Sequence, residues 1–206
     1  MISNKEQRAY MCEVSTRSDE KHGNVLEGIP IVYDVATDIG GYWEEIIDRG
    51  ALDNADLKDV RFLVNHDIDS IPLARSRNNN ENSTMQMTVE DDGLHVRVDL
   101  DTEGNPKAKE LYSAVRRQDI SGMSFMFSVK GDKWDNLDTD YPTRHITALD
   151  KVFEVSAVTF PAYEQTTINA RSLESGQASL ESAREALENA RKVEELRKQI
   201  IARCKK

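Results

Sequence analysis

Residues 120–127 read Ile-Ser-Gly-Met-Ser-Phe-Met-Phe, an apolar run interrupted by two serines and one glycine. An uncharged apolar run of this length, bounded by polar segments, predicts a strand buried in a sheet. A hydroxyl inside such a strand needs a partner, which is either backbone or a base that activates it as a nucleophile. Ser124 is the leading candidate nucleophile, and Ser121, which precedes Gly122, is the alternative.

Two other predicted strands carry groups that could act with a serine. His66 follows the apolar run Val60-Arg-Phe-Leu-Val64, at the strand end where loops display functional side chains. Glu154 lies in Val152-Phe-Glu-Val-Ser-Ala-Val158, where a charge needs a partner. A hydroxyl, an imidazole and a carboxylate on separate strands are the parts of a serine hydrolase. The alternatives are a solvated turn histidine and a structural salt bridge.

The third member of this set stays open at the level of sequence. His145 lies in the alternating stretch Thr143-Arg-His-Ile-Thr147, and a second imidazole could orient the first in place of Glu154. His66 and Asp67 could instead offer two metal ligands. No HExxH motif or further His/Cys cluster supports such a site, so we expect neither a metal nor an organic cofactor.

Composition limits the class of protein. The chain of 206 residues has a formal net charge of -10, which argues against a nucleic-acid or anionic-membrane surface. No apolar run approaches the roughly 20 residues that span a bilayer, and the N-terminus has no apolar signal core. The two cysteines, Cys12 and Cys204, form no disulfide framework. These features predict a cytosolic protein.

The fold predicted for residues 1–171 is mainly β with one helix, as an antiparallel barrel or sandwich. Met85–Leu100 has the pattern of a hairpin, and Asn105-Pro106 begins a helix. The Asn-rich segment 76–84 and the acidic segment 131–142 are predicted loops, and 143–147 and 151–160 are predicted as separate strands.

Composition changes after Arg171. Residues 172–206 contain no proline and no aromatic residue, and apolar residues recur every three or four positions from Leu180 to Ile200. This pattern predicts a single amphipathic helix or short coiled coil, with Ser179 as a candidate N-cap. The chain is therefore divided into a domain of residues 1–171 and a helical tail of residues 172–206.

Five short motifs follow one another between residues 8 and 171. They are Glu-x-Ile-Ile-Asp-Arg-Gly-Ala-Leu (44–52), Val-Asn-His-Asp (64–67), Asp-Asp-Gly-Leu (91–94), Ile-Ser-Gly-Met-Ser-Phe-Met-Phe (120–127) and Phe-Glu-Val-Ser-Ala-Val-Thr-Phe-Pro-Ala-Tyr (153–163). In this order they resemble the tailed-phage (caudovirus) prohead, or capsid maturation, protease family. Met126 departs from the family pattern, which has a glycine in Ser-Phe-Gly-Phe.

The resemblance implies a serine endopeptidase with an antiparallel β-barrel similar to that of the herpesvirus assembly protease. The family's histidine corresponds to His66, its serine to Ser124 and its acidic residue to Glu154, whereas the herpesvirus enzymes use a histidine as third member. The implied substrates are scaffold and major capsid protein segments, and the protease itself, inside a procapsid in the host cytoplasm. The tail could carry the enzyme there or mediate self-association, and a non-catalytic assembly factor acting through that helix is the alternative.

Overall fold

The computed structural model describes residues 5–10, 14–19, 23–159 and 170–204, and these residues form eleven strands and two helices. The strands are β1 (Glu6–Tyr10), β2 (Ser15–Asp19), β3 (Gly23–Val32), β4 (Thr37–Ile39), β5 (Trp43–Ile47), β6 (Asp59–Val64), β7 (Ala74–Arg77), β8 (Met85–Glu90), β9 (Gly93–Leu100), β10 (Gly122–Asp135) and β11 (Thr143–Val158). The helices are α1 (Pro106–Arg116) and α2 (Ala170–Cys204). Cys12 and residues 160–163 of the last motif lie outside the described residues.

The strands pair into two sheets. The larger, of seven strands, runs β1-β10-β11-β5-β4, and β6 joins it through β11 and carries β7 on its other edge. The smaller, of four strands, runs β2-β3-β9-β8. The prediction of a mixed, mainly β fold with helices is confirmed. Pairing among the described strands does not close the sheets into a barrel, so that part of the prediction is not confirmed.

The long strand β11 organises the larger sheet. It pairs antiparallel with β10, while Thr143–Ile146 lie parallel to β5 and Glu154–Ala157 lie parallel to β6. The predictions of two separate strands and of a loop over 131–142 were therefore wrong in part, because β11 is continuous and β10 extends to Asp135. Polar residues can extend a hairpin in this way because strand pairing needs only backbone groups.

Alternation along β10 divides its side chains between two faces. Met123, Phe125 and Phe127 are buried in the hydrophobic core, so Ser124 and Met126 face the other side of the sheet. We call that side the outer face. On β11, a register shift lies opposite the step from Met126 to Phe127.

This irregularity decides which residues of β11 face the core. In a regular strand Phe153 would share a face with Val155 and Ala157, but here Val152 joins those two residues in the core. The extra residue of a bulge reverses the alternation on one side of it. Phe153 is only half-buried, and the ammonium of Lys5 lies 4.0 Å from the centroid of its ring.

The hairpin and the first helix follow the sequence closely. Gly93 joins β8 to β9, and a Cβ there would lie 1.9 Å from the backbone oxygen of Ile31, so only glycine fits. Asn105 caps α1 through its side chain, which accepts a hydrogen bond from the Lys107 amide at 3.1 Å. The Asn-rich loop predicted to begin at residue 76 begins at residue 78, because β7 extends to Arg77.

The helix α2 begins at Ala170, which is earlier than the predicted N-cap at Ser179. Ser179 lies inside the helix, where its hydroxyl donates to Asp132 at 2.8 Å and accepts from the Trp134 indole at 3.0 Å. Gly176 lies against the buried Trp43, and a Cβ there would meet the indole ring at 2.4 Å. The first turns of the helix therefore pack on the sheet rather than extending freely from it.

Neither helix in the described ranges is long and apolar enough to cross a membrane.

Candidate active site

His66 lies in a turn that directly follows β6. Asn65 and His66 have φ values of 50° and 58°, and this left-handed conformation is one that asparagine tolerates better than most residues. The backbone amide of Asn65 donates a hydrogen bond to the Ala157 backbone oxygen at 2.9 Å. The side-chain oxygen of Asn65 accepts one from the Thr159 backbone amide at 2.9 Å. Two consecutive left-handed residues are thus anchored to the end of β11, and they turn the imidazole back over that strand.

Glu154 is the partner of that imidazole. Glu154 is only 2% exposed, and its Oε1 lies 2.6 Å from Nδ1 of His66. Its other oxygen, Oε2, accepts from the hydroxyl of Ser156 at 2.5 Å. The expectation that a carboxylate in this strand needs a partner is thereby met by His66, and the pairing orients the ring.

Ser124 lies on the neighbouring strand. It is 1% exposed and stands directly across from Ser156 in the antiparallel pairing of β10 with β11. Its hydroxyl donates to the backbone oxygen of Arg8 in β1 at 2.7 Å. The fold therefore places Ser124 and Glu154 on the outer face of adjacent strands, with His66 held over the same strand as Glu154.

The two alternative residues lie elsewhere. Ser121 is exposed and precedes β10. His145 pairs with Lys133 near the opposite end of β11, and its Nδ1 lies 2.7 Å from Asp48. His145 and Ser156 are eleven positions apart along the strand. At roughly 3.3 Å per residue this is on the order of 35 Å of extended chain. Glu154, and not His145, contacts His66.

His66 and Asp67, the two possible metal ligands at the site, each have a hydrogen-bond partner within the protein. His66 directs Nδ1 at Glu154, and Asp67 accepts a hydrogen bond from the Ser70 hydroxyl, which lowers the pKa of the Asp67 carboxyl. Among the described residues, Glu90, Asp92 and His95 form a group whose potential ligand atoms lie within 4.8 Å of one another. That exposed group belongs to the β8–β9 hairpin of the smaller sheet.

Sequence reasoning missed a buried ionic cluster beside the site. Its members are Glu6, Arg8, Glu45, Asp132 and Arg144, and all but Asp132 are at most 4% exposed. Arg8 binds both Glu6 and Glu45, and Arg144 Nη1 lies 2.8 Å from Glu6 Oε2 and 3.1 Å from Glu45 Oε2. Burial alone would raise the pKa of Glu45, but the two guanidinium groups outweigh it and hold that pKa below its usual range.

This ionic cluster matters for the site because it holds Arg8 of β1, whose backbone oxygen accepts the hydrogen bond from the Ser124 hydroxyl. The sequence offers little signal for it, since Glu6 and Arg8 alternate with other residues as they would on a solvated strand.

The arrangement supports general-base activation of a hydroxyl. The Glu154 carboxylate accepts a hydrogen bond from the Nδ1–H of His66, and in the neutral ring this leaves Nε2 unprotonated. An imidazole held in that form can take a proton from a serine and return it to a leaving group.

Comparison with known proteins identifies a family. The family described as caudovirus prohead serine protease matches residues 12–179. Among solved structures, the bacteriophage T4 capsid assembly protease, gp21, is similar over 74% of this chain and 98% of that chain, with 14% sequence identity and a TM-score of 0.39. No curated protein sequence matches the chain.

Proposed function

The chain belongs to the caudovirus prohead serine protease family, and on that premise we propose that Ser124, His66 and Glu154 form its catalytic triad. The protein is a serine peptidase with a role in capsid maturation. The observation that carries the assignment is the contact of 2.6 Å between His66 Nδ1 and Glu154 Oε1, on the strand that pairs with the strand of Ser124.

The proposed reaction begins with proton transfer from Ser124 Oγ to His66 Nε2. The oxygen attacks the scissile carbonyl carbon, and the resulting oxyanion is stabilised by backbone amides. His66 then returns the proton to the leaving amine, and the acyl-enzyme forms as the C–N bond breaks. A water molecule, deprotonated by the same imidazole, hydrolyses the ester and restores Ser124. Glu154 remains ionised and stabilises the imidazolium.

One rearrangement is needed before attack. The Ser124 hydroxyl donates to the Arg8 oxygen, so its proton must first be redirected towards His66. Rotation about χ1 moves a serine oxygen between staggered positions, and such a rotation would redirect the Ser124 hydroxyl. Substrate that enters beside β1 would compete for the same backbone oxygen. The observed contact therefore represents a resting position of the nucleophile in this proposal.

The substrates we propose are segments of the scaffold and of the major capsid protein, together with the protease itself. Cleavage would take place inside the procapsid, in the host cytoplasm, with no metal or organic cofactor and without nucleic-acid or membrane binding. These substrates are expected from the family to which the chain belongs.

Intact mass spectrometry of the purified wild type and of Ser124→Ala tests the assignment. We expect a truncated species in the wild type only, because self-cleavage needs the nucleophile. Ser121→Ala is the matched control, since it removes an exposed hydroxyl from the same segment and should leave the truncation unchanged. Truncation in Ser124→Ala and its loss in Ser121→Ala would transfer the role to Ser121.

The distal half of α2 favours a second, binding function. Val193, Leu196 and Ile200 are 49%, 57% and 59% exposed and lie three to four residues apart on one side of the helix. We propose that residues 1–171 perform catalysis, and that the tail of residues 172–206 joins another amphipathic helix as a coiled coil. The partner would be a second copy or a scaffold protein.

This binding function can be measured apart from catalysis. In the double variant Leu196→Ser/Ile200→Ser, we expect self-association in sedimentation, or incorporation into procapsids, to decrease. Self-cleavage should persist. A monomeric wild type would exclude the second copy, and unchanged incorporation of the double variant would exclude the scaffold. If assembly continued with Ser124 and His66 both replaced, the tail would be the functional part of the protein.

We also propose that the sheets approach the barrel of the herpesvirus assembly protease. The Thr84 amide donates to Arg75 of β7 at 3.1 Å, and the Asp99 amide of β9 donates to Thr84 at 2.8 Å, which brings the two sheets close at this edge. An experimental structure with continuous pairing from β7 to β8 would support closure, and a solvated gap between them would exclude it.

A further inference from the structure

A buried serine beside the proposed triad has two hydrogen bonds that both involve the triad. Ser156 lies on β11 between Ser124 of β10 and Leu63 of β6, and its side chain is inaccessible to solvent. A buried hydroxyl that lacks partners destabilises the fold, so its contacts are expected to be specific. Ser156 meets this expectation with the backbone of His66 and the carboxylate of Glu154.

The directions of these hydrogen bonds follow from chemistry. The His66 backbone N–H can only donate, so at 3.1 Å it makes the Ser156 oxygen an acceptor. The single proton of Ser156 is then free for Glu154 Oε2, which lies 2.5 Å away. A carboxylate that accepts on Oε2 presents its other oxygen, also an acceptor, to His66 Nδ1 at 2.6 Å. The Nδ1 atom must therefore carry the proton.

These three contacts form a closed ring from the His66 backbone through Ser156 and Glu154 to the His66 side chain. We propose that Ser156 is a positioning residue, which fixes the tautomer and the orientation of His66 through Glu154 and so leaves Nε2 as the base. The inference rests on the proposed triad and extends it to a fourth side chain. The two hydrogen bonds of Ser156 involve the His66 backbone and Glu154, and neither involves Ser124 or His66 Nε2, so its proposed role is to position the base.

The ring of hydrogen bonds also holds the turn of Asn65 and His66 in place. Asn65 and His66 both adopt left-handed backbone conformations, which cost free energy for residues with a Cβ. The hydrogen bond from the His66 backbone amide to Ser156 anchors His66 to β11. Asn65 is anchored by its own side-chain oxygen, which accepts a hydrogen bond from the Thr159 backbone amide. Removal of the Ser156 hydroxyl would release the backbone and the carboxylate of the same ring together.

The test uses Ser156→Ala, Ser156→Thr and a matched control, Ser76→Ala. Ser76 on β7 is also inaccessible to solvent, donates to a side chain (Asn79 Oδ1, 3.0 Å) and accepts from a backbone amide (Asn79, 3.2 Å). It therefore has the same kind of hydrogen bonds without contact to the triad. Urea unfolding of all variants reports whether the folded state persists and how far each substitution lowers stability.

The kinetic readout is acylation of the full-length protein by a fluorophosphonate reagent. For Ser156→Ala we expect the maximal acylation rate to fall roughly 10- to 100-fold, a part of the factor that a general base contributes. The concentration for half-maximal rate should stay unchanged, because the binding surface is intact. Ser156→Thr, which retains the hydroxyl, should recover most of the rate, and Ser76→Ala should match the wild type.

The structural readout is the ¹⁵N spectrum of histidine-labelled protein, in which the side-chain nitrogens distinguish the two neutral tautomers. His66→Gln identifies the His66 signals among the four histidines. We expect the Nδ1–H form in the wild type and a loss of that preference in Ser156→Ala. An unchanged tautomer, or an unchanged maximal acylation rate, would overturn the proposal. This spectrum does not depend on which residue is acylated, so failure of Ser124 as nucleophile would be seen separately.

Discussion

His66 and His145 lie against opposite halves of β11, and at short range they look alike. Each side chain is about one-fifth exposed, at 21% and 20%, and each directs Nδ1 at a carboxylate, at 2.6 Å and 2.7 Å. They differ in what surrounds the rest of the ring. His145 has a second carboxylate, Asp135, at 3.4 Å from Nε2, whereas His66 has no carboxylate at Nε2 within the described ranges.

Histidine and carboxylate side chains therefore have different surroundings in the two halves of β11. In the first half, His145 and Arg144 are enclosed by carboxylates and bind β5, β10 and β1 together. In the second half, Glu154 and Ser156 hold one imidazole, and Ser124 on the next strand stands directly across from Ser156. A histidine–carboxylate pair is thus insufficient as a sign of catalysis, and a base also needs an unprotonated nitrogen near a hydroxyl.

The largest expected effect separates the two histidines. His66→Ala should lower the rate of fluorophosphonate acylation by at least about 10³-fold, because the serine loses its base. His145→Ala should leave that rate unchanged, since its ring contacts Asp48 and Asp135 far from Ser124. Equal losses in two folded variants would mean that the halves of β11 are not functionally distinct.

A similar but smaller contrast is expected for the carboxylates. Glu154→Gln should lower the acylation rate about 10²- to 10⁴-fold, because an amide can donate to Nδ1 and so favour the wrong tautomer. Asp48→Asn makes the same change at His145 and should affect only stability. Single-turnover kinetics with both variants measure this contrast, and an active Glu154→Gln would remove Glu154 from the triad.

The first half of β11 should instead control stability in acid. The pKa of Glu45 is lower in the folded protein than its usual value of 4.5, because Arg8 and Arg144 favour the carboxylate despite its burial. A lowered folded-state pKa means that this stabilisation is present above pH 4.5 and is lost as the pH falls through the folded value. The urea midpoint should therefore fall with pH below about 4.5.

Glu45→Gln should start from a lower midpoint at pH 7 and show a weaker decrease in acid. The control is Asp138→Asn, which breaks an exposed pair with Arg191 that contributes little to stability. If Glu45→Gln kept the full decrease in acid, the buried ionic cluster would not be its source.

The smallest expected effect concerns the helix α2, which packs on Trp43 of β5 and on β10. Gly176→Ala places a methyl group 2.4 Å from the Trp43 ring, and we expect the free energy of unfolding to fall by about 1–3 kcal/mol. Ser182→Ala, an exposed change on the same helix, should alter it by less than about 0.5 kcal/mol. Urea unfolding followed by tryptophan fluorescence gives both values, and a neutral Gly176→Ala would mean that α2 does not pack closely there.

Local pattern was sufficient for the elements whose stability is local. Alternation located β8 and β9, an apolar run located the first part of β10, and the Asn-Pro pair located the start of α1, because these patterns are contained in neighbouring residues. The helix-favouring composition of the tail located α2, but the predicted N-cap, Ser179, lies after the observed start at Ala170. Packing of Gly176 and Ser179 on Trp43, Asp132 and Trp134 extends the helix towards its N-terminus, and no local pattern contains those contacts.

The order of residues was enough to predict a mainly β protein with a helical tail and to single out Ser124, His66 and Glu154 as a candidate set. The folded chain was needed to show that Glu154 contacts His66, that His145 is enclosed by Asp48 and Asp135, and that Ser156 closes the ring of hydrogen bonds. Strand pairing sets these distances. A carboxylate acquires its role from the groups that the paired strands and their turns bring next to it, and those groups lie far away along the chain.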